Sequence, residues 1–164
     1  MQFFIAFLLS IIAVALQITW LSKLTILTVA PNLILAGILA WAICPKEEKN
    51  YWWIWLPVLM FDLLAGQPFG LFTLSLWLMF FSVELLASLL FKQNDWPAIL
   101  LLTVIGLVFF EFYQFLLQQF FALWHLSKPP EFSAFYGYAV LPVKIFYNGL
   151  VVLLGLVIFK KSKL

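Results

Sequence analysis

The chain has 164 residues, of which 66% are hydrophobic and 10% charged, with a formal net charge of +2 and a mean hydropathy of +1.11. A soluble domain carries about 25% charged residues, so this chain cannot cover itself with polar surface in water, and so small a net charge gives no footing for nucleic acid. The bilayer is the solvent to reason with: only helices or closed barrels satisfy the backbone there, and no alternating ten-residue segments point to a barrel.

Apolar runs between charges predict an all-α, polytopic transmembrane bundle of about six helices, one integral membrane domain over residues 1–164. The first run, 3–22, places Ala6, Ser10, Ala13 and Gln17 on one small-residue face. Ala13-Val14-Ala15 resembles a signal-peptidase site, but there is no basic segment before it and the apolar stretch continues to Leu21, so retention is expected. The second run, 26–44, carries a second small pair, Ala36 and Ala40, beside Gly37. Such faces pack against another helix, of this chain or of a partner. Cys44 is the single cysteine, which leaves no intramolecular disulfide and, with His125 the single histidine, no basis for a metal site.

The third run, 51–65, spans only about 22 Å against a hydrocarbon core near 30 Å. Trp52, Trp53 and Trp55 suit an interfacial belt at its start. The turn Gly66-Gln67-Pro68-Phe69-Gly70 is therefore expected to dip into the membrane, with glycine allowing close approach and Pro68 in the first turn of the next helix. Asp62 lies one helical turn before Gly66. Its carboxylate either accepts hydrogen bonds from the exposed amides at the next helix start or contacts a partner or small polar ligand. A lone intramembrane acid costs about 2.5–3.5 kcal/mol on insertion scales, so some compensating contact is required.

The fourth run, 71–91, holds Glu84, which has no evident cationic partner and is expected protonated or near the inner surface. The fifth, 98–124, places Glu111, Gln114 and Gln118 on one face, and the sixth, 137–159, does the same with Lys144 and Asn148. Glu111 and Lys144 fall at similar depth and are expected to pair. The facing stripes read as polar glue between helices or as the lining of a ligand cavity or proton path. His125 reads as an interfacial residue at the end of the fifth helix, and Ser127–Tyr138, with Pro129-Pro130, as a structured loop or docking surface. Lys46, Lys49, Lys92, Lys160, Lys161 and Lys163 fall on one side against Lys23 and Lys128 on the other, which places both termini in the cytoplasm by the positive-inside rule.

Pro31-Asn32-Leu33 opening the second helix, Asp62 followed by Gly66-x-Pro68-x-Gly70, and Leu141-Pro142 followed by Asn148 together resemble the pattern of the MreD family of rod-shape-determining membrane proteins. The family commonly has an acid where Asn32 stands, and glycines in the helix before the aspartate where this chain has Pro57. The resemblance implies a non-enzymatic scaffold subunit of the bacterial elongation complex in the cytoplasmic membrane. It further implies binding to MreC, coupling of MreB to RodA and a class B penicillin-binding protein, no cofactor, and a fold similar to the S subunits of energy-coupling-factor transporters. That last similarity keeps open an alternative, a vitamin-type small-molecule-binding subunit using Asp62, Glu111 and Lys144. No phosphate loop, nucleophile elbow or metal-ligand spacing suggests an enzyme.

Overall fold

The computed structural model describes residues 2–25, 29–43, 55–90, 96–126 and 140–161. Cys44, Lys46, Lys49, Trp52, Trp53, Lys92, Lys128, Lys163 and the Ser127–Tyr138 segment lie outside the described residues. Among those described, six α-helices follow one another: α1 (Gln2–Thr19), running on into a 3-10 turn at Leu21–Lys23, α2 (Leu33–Ile43), α3 (Trp55–Leu64), α4 (Leu71–Leu90), α5 (Trp96–Leu123) and α6 (Leu141–Lys161).

α2 is the centre of the bundle. It is apolar at every position, as suits a helix buried on most of its circumference, and it touches α1, α4, α5 and α6. Leu35, Ile38 and Leu39 are fully enclosed, and Val58 of α3, Leu76, Met79 and Val83 of α4, Leu107 and Phe110 of α5 and Val152 of α6 close around them. Ala36 and Ala40 are buried here, so this small-residue face is used within the chain, and Ser10 and Gln17 of the α1 face also point inward. α5 approaches the centre most closely at Gly106, where a Cβ would collide with Leu39 Cδ1 and stand 3.0 Å from Val83 Cγ2. Trp55 packs onto α4, its ring 5.6 Å from Trp77 and 5.7 Å from Phe80.

The outside is as oily as the inside. Phe7, Leu8, Ile11, Leu74, Trp77, Phe81, Leu101, Val104 and Phe112 are all exposed. In water such a surface would aggregate; in lipid it is neutral, and helix association then rests on packing and on interhelical polar contacts rather than on apolar burial.

The expected spans need revision at several boundaries. α4 and α5 are the two described helices long and apolar enough to cross a membrane by themselves. α2 as described has 11 residues and α3 has 10, or about 16 and 15 Å of rise. The second helix starts at Leu33, at the Pro31-Asn32-Leu33 opening and not where the apolar run begins near residue 26, because Pro31 disfavours helical geometry at Ala30 and Asn32 acts as the cap: its Oδ1 accepts the Leu35 amide at 3.0 Å. α6 starts at Leu141, with Pro142 in the first turn, where its missing N–H is not needed.

Two helix starts capped by neighbouring helices

Asp62 is the last acid before the α3–α4 break and is 1% exposed. Its Oδ2 accepts the Gly70 amide at 2.9 Å, the Thr73 amide at 3.2 Å and the Thr73 hydroxyl at 2.6 Å, while Oδ1 accepts the Phe72 amide at 3.3 Å. The three amides are N–H groups at a helix start, where an α-helix leaves them without intrahelical partners. The carboxylate also lies at the positive end of the α4 dipole. Of the two roles open to Asp62, the geometry places it against the next helix start. It does not line the cavity described below, because both oxygens are turned into the α4 amides.

The intervening turn works differently from the sequence expectation. Gly66 and Gly70 have φ of 68° and 95°, and nothing lies within 4 Å of where a Gly66 Cβ would stand. Glycine is present there for its backbone conformation and not for close approach. The Leu71 amide donates to the Pro68 carbonyl at 3.1 Å, closing a β-turn with Gly70 in the third position, where positive φ is required. Pro68 thus lies in the turn before α4 and not in its first helical turn.

The start of α2 is satisfied in the same manner by neutral groups. Gln17 of α1 accepts the Leu33 amide on Oε1 at 2.8 Å and donates from Nε2 to the Pro31 carbonyl at 2.9 Å. Asn148 of α6 accepts the Asn32 amide on Oδ1 at 2.7 Å and donates from Nδ2 to the Lys144 carbonyl at 3.0 Å. Lys144 Nζ in turn donates to Glu111 Oε2 at 3.0 Å, making the expected α5–α6 ion pair. Asn148, expected to face the α5 stripe, joins α6 to α2 instead.

Between the two capped starts lies a partly open cavity of ≈ 430 Å³, lined among others by Gln17, Asn32, Gln114, Glu111, Lys144 and Asn148, with Phe61, Phe72 and Phe110 as its aromatic wall. Gln118, one turn beyond Gln114, is half-buried and does not reach it. Glu84 is half-buried on α4, away from the cavity, and is not without a partner. His125 stands just past α5 with φ 56°. The His125 amide reaches the Ala122 carbonyl and the Leu126 amide the Phe121 carbonyl, the paired bonds of a Schellman ending. Thr73 and Gly106 carry no signal in the sequence reading, and Gln17, placed there only on the small-residue face of α1, instead closes the α2 start. For Gln17 the signal was its presence in an otherwise apolar helix, where an amide must find a partner. Among the described residues, no three His, Cys, Asp or Glu side chains gather as a metal site, and no described buried side-chain polar atom lacks a hydrogen bond.

The bundle and its polar end define the class: an all-α integral membrane protein whose ionic and amide side chains join helix to helix. The chain belongs to the MreD family, the family model described as rod shape-determining protein MreD matching residues 1–160. The family is a non-catalytic one whose role is rod-shape determination. No curated protein and no solved structure matches the chain.

Proposed function

We propose that this chain is a scaffold subunit of the bacterial cell-elongation complex. It crosses the cytoplasmic membrane six times as one domain, keeps both termini in the cytoplasm, and binds MreC. Through MreC it helps couple MreB filaments to peptidoglycan synthesis by RodA and a class B penicillin-binding protein. The family match over residues 1–160 carries this reading. The use of Asp62, Asn32 and Asn148 in closing helix starts supports it, because these groups set the shape of a recognition surface without chemistry. The lysine asymmetry supports the sidedness. Tagged chain co-expressed with MreC in a common detergent should elute with it. Elution of each folded protein alone rejects the reading.

The cavity favours a second reading, a small-molecule-binding subunit similar to the S subunits of energy-coupling-factor transporters. Capture of an ATPase and a coupling subunit in place of MreC would select it.

A further inference from the structure

The ends of four helices meet around the cavity. Ser22 just past α1, Asn32 just before α2, Leu64 at the end of α3 and Lys144 in the first turn of α6 all line it, while α5 runs past with Gln114. Two stretches of non-helical backbone, 29–32 and 65–67, therefore form part of its wall. Phe72 and Phe110, with ring centroids 5.7 Å apart, close it toward the hydrophobic core.

Irregular backbone at membrane depth persists only where protein covers it or where it lines a water-filled cavity. Protein covers amides of the two helix starts, through Asp62, Gln17 and Asn148. The carbonyls that end α3 are not covered in that way. That of Phe61 accepts the Ala65 amide at 2.8 Å, but no backbone amide among the described residues reaches those of Leu63 and Leu64. The half-buried Gln114 side chain likewise meets no hydrogen-bond partner among the described residues. Against lipid tails these groups would stand unsatisfied, at a cost the tails cannot offset. Water can meet them, and the volume of ≈ 430 Å³ is far above the about 10–15 Å³ that one water needs. Ser22 and Gln67, both exposed, give the cavity a polar rim.

We infer that the cavity is a water-filled recess in the membrane-embedded bundle, and that water, not an acyl chain, meets Gln114 and the end of α3. Glu111 and Lys144 leave only 13% and 28% of their side chains exposed, so their pair stays largely within protein beside the recess. The recess requires neither MreC nor a particular face of the membrane to open to.

Cysteine accessibility tests the recess in the full chain, with Cys44→Ser removing the single native thiol. A charged thiosulfonate reacts with the thiolate, which forms in water and not among lipid tails. Gln114→Cys lies in the recess, whereas Phe112→Cys and Leu116→Cys, within about 3 Å of it along the α5 axis, stand on an exposed apolar face outside it. The two flanking positions bracket Gln114 in depth, so a difference between them and it reports water and not distance from the membrane surface. In opened membranes, with reagent on both faces, Gln114→Cys should be labelled about tenfold faster or more than either flanking variant. Ala65→Cys, at the end of α3 in the same wall, should also outpace both, and it carries the test should Gln114→Cys fail to fold. Full labelling of every variant after denaturation verifies that each thiol is intact. Gln114→Cys and Ala65→Cys chains labelled no faster than the Phe112→Cys and Leu116→Cys chains overturn the proposal. Capture of MreC from the same membranes scores the scaffold reading separately.

Discussion

The Asp62 carboxylate and the Gly70 amide lie 2.9 Å apart across the break between α3 and α4. Three further bonds, from Phe72 and twice from Thr73, bring the amides of the first α4 turn to the same carboxylate. An intramembrane acid is expensive on insertion scales, about 2.5–3.5 kcal/mol. Here the expense is offset by donors that lipid could not satisfy and by the partial positive charge of the helix start. The α2 start reaches the same end with amides from Gln17 and Asn148. Both devices tie a helix start to its neighbours.

Asp62→Ala should lower stability by several kcal/mol, because it strands buried amides as well as removing charge-assisted bonds worth about 1.5–3 kcal/mol each. Asp62→Asn keeps one oxygen acceptor and should lie between Ala and the parent chain. Thr73→Val, which removes the hydroxyl contact alone, should cost about 1–3 kcal/mol. Thermal melts in a single detergent, read by tryptophan fluorescence, give the order. A melt of Asp62→Ala equal to that of the parent chain would contradict the capping role.

Much of this end was legible from residue types. An aspartate one turn before a Gly-rich break announces a need for donors, and an acid and a lysine at matched depth on successive helices announce a pair. The helix order also followed from apolar run lengths, because charges and prolines interrupt the chain where lipid ends. What escaped were relations set by tertiary register. Asn148 shares a helical face with Lys144, yet it bonds α2 and not α5, since helix rotation, not spacing, decides which neighbour a side chain meets. Gly106 gave no signal of its own, because a glycine in a helix is informative only once the residue opposite it, Leu39, is known. The apolar run from residue 26 overstated α2, whereas Pro31-Asn32-Leu33, two helix-start signals and the first helical residue, marked its start at Leu33.

Gly66 provides a test of conformation against space. Its φ of 68° is unfavourable for most side chains, while room for a Cβ is open. Gly66→Ala should therefore cost about 1–2 kcal/mol from backbone strain alone, and Gly66→Asn, which tolerates the left-handed region, should recover part of that loss. Were crowding the constraint, the larger asparagine would be worse than alanine. The relative melting temperatures of the two variants decide between these accounts.

Gly106→Ala is expected to destabilise the bundle by crowding, unlike Gly66→Ala, where the backbone conformation is the constraint. The new methyl meets Leu39, itself fully buried at the centre of the bundle, and Val83 on the other side. Overpacking of this kind costs about 1–3 kcal/mol. Leu39→Val or Leu39→Ala should destabilise the parent chain but relieve the Gly106→Ala chain, giving a coupling energy of opposite sign to the single effects. Strictly additive melts would show that α5 and α2 do not touch at this point.

The Glu111–Lys144 pair is tested by removing its halves separately and together. At 3.0 Å, with side-chain exposures of 13% and 28%, the pair is largely withdrawn from solvent. Breaking a buried pair by taking away one partner costs about 3–5 kcal/mol. Taking away both, as Glu111→Leu with Lys144→Leu, removes the desolvation cost along with the attraction. The double variant should therefore melt above either single one, and exchange of the two residues, Glu111→Lys with Lys144→Glu, should restore much of what either reversal loses. Added salt should change the single-variant penalties little, since counterions screen enclosed charges weakly. Additive single effects, or a double variant less stable than both, would show that the two side chains are not paired in the membrane-embedded protein.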